Sequence, residues 1–105
     1  MSNMALTEAV YYILLSLMQP MHGYGIIQNV EALSGGRVRL AAGTLYGAIN
    51  TLIDKGWITA LPEEKASRKK EYVITDTGKE ILQRELARLE ELLHNGKQIL
   101  GGECV

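Results

Sequence analysis

Between Gly43 and Lys70 the chain gathers residue types that suit contact with nucleic acid. Gly43, Thr44, Gly47, Asn50, Thr51 and Asp54 alternate with Leu45, Ile49, Leu52 and Ile53. A helix over about 42–55 would therefore carry a core stripe on one side and a small, polar face on the other. An asparagine amide can bond both groups of an adenine edge, and threonine offers a hydroxyl, or a methyl to thymine. Glycine brings the backbone itself close to a groove that just admits a helix. Inside a helix a glycine costs about 1 kcal/mol, so Gly43 and Gly47 on one face need a reason, and close approach to another body is the simplest. The same residues also make a plain solvated face. Tyr46, on the flank, either reaches a phosphate with its hydroxyl or is a boundary tyrosine with a wet tip, and Tyr24 invites the same two readings. Lys65, Arg68, Lys69 and Lys70 follow on a polar segment that can track a phosphate backbone without reading bases. Alone, such a run is a solvated turn; its place just after the helix raises the other reading. Arg37 and Arg39, ahead of the helix, could also touch the backbone.

Net charge does not announce this partner, with 11 Lys+Arg against 12 Asp+Glu in 105 residues. Distribution does. Residues 37–70 hold seven basic residues against three acidic, a net of +4, and both flanks are acidic. Catalysis finds little support: His22 and His94 belong to no metal cluster or nucleophile motif, and the glycines lack a phosphate-binding context. An enzyme is not expected, nor a metal or cofactor. Cys104 is the single cysteine, so no internal disulfide forms and a reducing cytoplasm fits best. The apolar run at 9–18 is too short to span a membrane and lacks the flanks of a signal peptide.

The elements that must position these residues follow from periodicity. Thr7 can cap a first helix over 7–18 that Pro20 stops. Leu6, Val10, Ile13, Leu14 and Leu17 line one face of it, and Tyr11, Leu15 and Met18 form a second stripe that suggests burial against another subunit. After Gly23-Tyr24-Gly25, Ile26, Ile27, Val30 and Leu33 make a second helix closed by Ser34-Gly35-Gly36. A short strand is expected at 38–40, then the third helix, ended by Gly56. Residues 57–61 and 71–75 read as a hairpin with a basic tip. Thr75 or Thr77 can cap a last helix, in which Leu82, Leu86, Leu89 and Leu93 form a narrow coiled-coil seam. That pattern weakens at Asn95-Gly96. The predicted fold is mainly α (α+β): a winged helix-turn-helix over 1–75 with a two-stranded wing, a long C-terminal dimerisation helix over 76–100 in the same compact unit, and a disordered tail at 101–105.

In this order, His22-Gly23-Tyr24-Gly25-Ile26, Gly43-Thr44-Leu45-Tyr46-Gly47-Ala48-Ile49, Leu52-Ile53-Asp54-Lys55-Gly56-Trp57-Ile58 and Arg68-Lys69-Lys70-Glu71-Tyr72 through Thr75-Asp76-Thr77-Gly78 resemble the PadR family of bacterial transcriptional regulators. The resemblance covers about 5–93, and Gly-Thr-Leu-Tyr followed by Lys-Gly is its most specific part. It implies a homodimer formed by the first and last helices, and a repressor on a palindromic operator in double-stranded DNA. Half-sites would lie about 34 Å apart, or a multiple of that. Carried onto this chain, it makes Thr44, Tyr46, Gly47, Asn50 and Lys55 candidate DNA contacts and adds Arg68, Lys69 and Lys70 from the wing. It also implies a small planar aromatic or drug-like effector, for which Tyr11, Leu15 and Trp57 with the last helix are the expected lining. Trp57 departs from the aliphatic residue expected after Lys-Gly. The alternative from another class is a winged-helix module that binds protein instead of DNA.

Overall fold

The computed structural model describes residues 5–62 and 69–101. They form α1 (Glu8–Ser16), β1 (Met21–His22), α2 (Gly23–Leu33), α3 (Ala42–Asp54), β2 (Ile58–Ala60), β3 (Glu71–Ile74) and α4 (Asp76–Leu100). This is the predicted winged helix-turn-helix, mainly helical with a small antiparallel sheet.

Local chemistry explains most boundaries. The Thr7 hydroxyl oxygen accepts from the Val10 N–H at 3.1 Å and starts α1. Thr75 starts α4, accepting from the Gly78 N–H at 3.1 Å while its own hydroxyl donates to the Gly56 carbonyl at 2.6 Å. The cap thus fastens α4 to the end of α3, and the competing start at Thr77 is not used. His22 caps α2, its Nδ1 accepting from the Gly25 N–H at 3.1 Å. Gly56 leaves α3 at a φ of 78°, in the left-handed region that glycine enters without steric cost.

Three expectations change. Residues 38–40 form no strand; Val38 and Leu40 pack on the core from an irregular connection, and the Val38 N–H donates to the Ser34 hydroxyl at 2.9 Å. The third strand is β1 instead, and the sheet order is β1-β3-β2. Met21 pairs with Tyr72 and His22 with Glu71 across one edge of β3, while Ile58, Thr59 and Ala60 pair with Ile74, Val73 and Tyr72 across the other. The Ile74 N–H donates to the Leu17 carbonyl at 2.8 Å; this brings the end of α1 to β3 and delivers the next extended residues to its open edge. Secondly, Ile53 is 37% exposed, at the margin of the α3 stripe and outside the core. Thirdly, Gly101, expected in the tail, closes α4 at a φ of 97°, while the helix itself runs through Asn95 and Gly96 to Leu100 over the expected span. Gly101 is therefore a helix cap, while 102–105, Cys104 among them, lie outside the described residues.

Ile13 and Leu14 of α1 with its C-cap Leu17, Ile26 and Val30 of α2, Leu45, Ile49 and Leu52 of α3, Ile58, Tyr72 and Ile74 of the sheet, and Leu82 of α4 make one buried cluster. Each such Leu or Ile contributes about 1.5–3 kcal/mol through burial. Ser16 links α1 to α2, donating to the Tyr12 carbonyl and accepting from Asn29 Nδ2, both at 2.8 Å. Gly78 lets α4 approach the strand: a Cβ there would collide with the Trp57 carbonyl oxygen. The result is a rigid seat that clamps α3 by one face.

Candidate nucleic-acid interface

With Leu45, Ile49 and Leu52 buried, helical geometry turns Gly43, Thr44, Gly47, Asn50, Thr51 and Asp54 outward, and all six are exposed. A Cβ built on Gly43 or Gly47 meets nothing within 4 Å. Packing inside the protomer therefore does not explain either glycine. Thr51 spends its hydroxyl proton on the Gly47 carbonyl at 3.2 Å, leaving its methyl and lone pairs for contacts. Asn50 is exposed on the same face.

Tyr46 sits at the boundary between core and solvent. The side chain is 45% exposed, yet its hydroxyl lies over the buried backbone of Gly23 at the start of α2, where any Cβ would collide with it. The ring is thus aimed by α2 and braces the front of α3. Beneath this corner, burial raises the pKa of the Tyr72 hydroxyl, and the neighbouring Tyr46 adds to the shift. Tyr24 is 64% exposed nearby.

One feature escaped the sequence reading. The N-cap of α3 is Ala41, which supplies no side-chain hydrogen bond, and the first turn holds no acidic residue. The N-cap side chain thus leaves the leading amides uncapped at the positive end of the helix, a setting that favours anions. The signal was present in Ala41-Ala42-Gly43, where a capping Ser, Thr or Asp would be ordinary.

The cations divide into two groups. Arg37 pairs with Glu8 of α1, and Arg39 with Glu31 of α2 at 3.5 Å; the Glu8 carboxylate raises the Arg37 pKa, chiefly by their hydrogen bond. Both arginines thus anchor the α2–α3 connection, which weakens their case as backbone contacts. Lys55, Lys69 and Lys70 are exposed on the α3 and wing side. Lys65 and Arg68 lie outside the described residues.

Two depressions flank this scaffold. A groove of about 220 Å³ is lined by Tyr11 and Leu15 of α1, by Met18 just beyond it, and by Lys79, Leu82, Gln83 and Leu86 of α4, so five of the residues expected at a dimer contact meet there. Leu89 and Leu93 continue along α4, 38% and 53% exposed, and Leu92, Ile99 and Leu100 extend the apolar surface beyond the predicted seam. A second cleft of about 530 Å³ lies between the start of α1, the end of α3 and α4, and Trp57 lines it with Ile81, Arg84, Glu85 and Arg88. The expected effector lining is therefore split within the protomer: Tyr11 and Leu15 face the groove, Trp57 the cleft. Neighbouring positions on a helix point about 100° apart, so Ile81 and Leu82 open onto different surfaces. In the cleft, Glu85 is only 6% exposed and takes both ends of the Arg88 guanidinium, at 2.8 and 2.6 Å. Arg88 holds the Glu85 carboxyl below its ordinary range; burial opposes this and a hydrogen bond from the Leu6 backbone assists it.

Residues 12–84 match the model of the transcriptional regulator PadR-like family. The chain is 37% identical over 73 residues to a 37.1 kDa protein in transposon TN4556 of Streptomyces fradiae, covering 70% of this chain and 20% of that protein. It thus spans about a fifth of that relative's length. A PadR family transcription regulator from Clostridium difficile R20291 shares the fold with a TM-score of 0.75 at 21% identity, over 90% of this chain and 99% of the other. Bacillus subtilis PadR, solved in complex with operator DNA, matches with a TM-score of 0.60 at 27% identity, over 73% of this chain and 46% of that one.

Proposed function

The chain belongs to the PadR-like family of transcriptional regulators, and on that premise we propose that it binds a palindromic operator as a homodimer and acts as a cytoplasmic repressor. The observation that carries this reading is the bare outward face of α3, where Gly43 and Gly47 have nothing above them and Thr44, Asn50 and Thr51 stand exposed. A major groove about 12 Å wide admits such a helix and presents the edges that these side chains can bond. In this reading Asn50 and Thr44 meet base edges, Gly47 and Thr51 allow close approach, and Tyr46, Lys55, Lys69 and Lys70 meet phosphates. The operator complex of the Bacillus subtilis relative supports the same use of the fold.

The second copy follows from the other exposed surface. Tyr11, Leu15, Met18, Leu86, Leu89 and Leu93, over the floor made by Leu82, offer a continuous apolar strip. A symmetric partner covers it and sets two α3 helices on one side of the duplex. Occupancy of the operator then represses, and a small effector relieves it.

Gel shifts on the region upstream of the protein's own gene, run at 50–200 mM salt, test this reading. The parent should lose affinity steeply with salt, and an Arg68/Lys69/Lys70→Ala triple variant should flatten the log–log slope by about 3, one per phosphate contact. Absence of binding, or binding without salt dependence, would instead favour the protein-binding module.

A further inference from the structure

Among the described helices, α2 is the one whose side-chain cap can be lost near neutral pH. His22 holds its N-cap position, and the His22 Nδ1 accepts from the Gly25 N–H at 3.1 Å. The caps of α1 and α4, Thr7 and Thr75, use hydroxyl oxygens that do not titrate. We propose that His22 is a proton-operated latch: its neutral imidazole closes the start of α2, and its protonation opens that turn, unseats Tyr46 and so weakens DNA binding. The latch rests on the cap geometry alone; its effect on DNA rests on the DNA-binding reading above.

An imidazole nitrogen that accepts a hydrogen bond carries no proton, so the capping ring is neutral with its proton on Nε2. Protonation turns both nitrogens into donors. The imidazolium then has nothing to offer the Gly25 N–H and sets a positive charge at the positive end of the helix. No acidic residue in the first turn of α2 compensates for it. The sheet offers the expelled ring another place. His22 and Glu71 are paired directly between β1 and β3, and such neighbours hold their Cβ atoms about 4.5–5.5 Å apart on one face. The exposed Glu71 carboxylate thus favours the imidazolium once the ring has turned away from the helix. Lys70, next to Glu71 and also exposed, opposes a second positive charge. The other titratable groups at this joint are Tyr24 of α2, Tyr46 of α3 and Tyr72 of β3, phenols, a group type that does not change charge between about pH 5 and 8.

The joint is built closely around the capped state. A Cβ on Gly25 would lie 2.9 Å from Met21 Cγ and 3.6 Å from the His22 ring. Gly23 is buried beneath the Tyr46 hydroxyl, so the Tyr46 ring ties the first turn of α2 to the helix that faces the groove. When that turn opens, Gly23 moves and Tyr46 loses its backing. DNA that requires a seated α3 then binds only the capped fraction, and protons and DNA compete by linkage. The sign separates this device from simple charge. Added positive charge tightens binding to phosphates, so a histidine acting only by its charge strengthens DNA binding in acid, whereas the latch weakens it.

Thermal melts of the full chain from about pH 8 to about pH 5, the range in which histidines titrate, test the latch. His22→Asn caps without titrating, and His94→Gln removes the other histidine, exposed on α4. Folding that requires a neutral ring binds fewer protons than the unfolded chain does, so stability falls as pH falls across this range. The melting temperature should drop by about 4 °C more in the parent and in His94→Gln than in His22→Asn. In proton–nitrogen NMR spectra of the parent, the Gly25 amide resonance should move together with the His22 ring resonances, a readout that stands even where His22→Asn does not fold. Equal drops in the parent and His22→Asn, a Gly25 amide that stays put while the ring titrates, or a ring that takes up no proton above about pH 5 overturns the latch. In a second arm, at fixed salt, the parent should bind operator DNA about fivefold more weakly in acid than at neutral pH, and His22→Asn should not. Parent binding that is unchanged or tighter in acid overturns the effect on DNA. If the parent binds no DNA at all, the proposed function fails, while melts and spectra still decide the latch.

Discussion

α3 and α4 each turn an open face outward, and the two faces are chemical opposites. On α3 the exposed residues include Gly43, Thr44, Gly47, Asn50, Thr51 and Asp54, with Tyr46 and Ile53 at the margins. On α4, Leu86, Leu89, Leu92 and Leu93 are 38–53% exposed and Ile99 reaches 85%. A bare polar face gains nothing by meeting oil; it suits a partner that offers hydrogen-bonding edges and phosphates, and such binding weakens with salt. A leucine face is stabilised by the area it hides and is largely indifferent to salt. In the proposed function the first surface reads and the second sets where two readers stand.

Breaking the apolar half should have the largest effect. Each leucine removed from water is worth about 1.5–3 kcal/mol, and a two-fold axis counts every position twice. Leu86→Glu with Leu93→Glu should therefore raise the dimer dissociation constant about a thousandfold or more, roughly 4 kcal/mol, with a monomer in sedimentation at micromolar concentration. An unaltered dimer would remove the contrast between the two faces.

On the polar half, Asn50→Ala should cost about 1–3 kcal/mol of discrimination at one base pair. Its melting temperature should stay put, since exposed substitutions away from special contacts usually fall within about 0.5 kcal/mol. Competition shifts with single-base operator variants measure the first quantity and calorimetry the second. Gly47→Ala sharpens the comparison further, because stability and binding should move in opposite directions. The added Cβ meets nothing, so the helix gains about 1 kcal/mol, yet the same atom obstructs the groove and should weaken binding about tenfold. A variant that is both more stable and equally tight would show that Gly47 has no role in close approach.

The smallest effect concerns Glu85, behind both faces. Its folded-state pKa lies below the ordinary 4.5 because Arg88 favours the charged form. The contribution is therefore present above the unfolded value and is lost as pH falls through the lowered one. Melting temperatures should accordingly drop more steeply below about pH 4.5 for the parent than for Glu85→Gln, and parallel curves would refute the role of the pair.

Much of this was legible because it is local. Thr7 and Thr75 cap through contacts three residues away, Gly56 ends α3 by its own backbone freedom, and the stripes of α1 and α4 repeat at helical spacing. That periodicity was enough to bring Tyr11, Leu15, Met18, Leu82 and Leu86 to one groove. The Glu85–Arg88 pair also has helical spacing, but spacing alone does not distinguish a buried pair from an exposed one. Its burial depends on Leu6 and the start of α1 closing over it.

The sequence by itself determined the helices, the caps at Thr7 and Thr75, most of the inward faces and the small-residue face of α3, since each depends on residues within a turn or two. Tertiary structure decided the rest. A two-residue strand has no periodicity, and Met21 and His22 become one only because β3 offers them an edge. Val38 and Leu40 have strand-like residue types but no edge to join. Tyr46 is aimed by Gly23, more than twenty residues earlier. Trp57 parts from Tyr11 and Leu15 because α4 stands between their surfaces, and contacts between residues distant in sequence are set by how elements pack together.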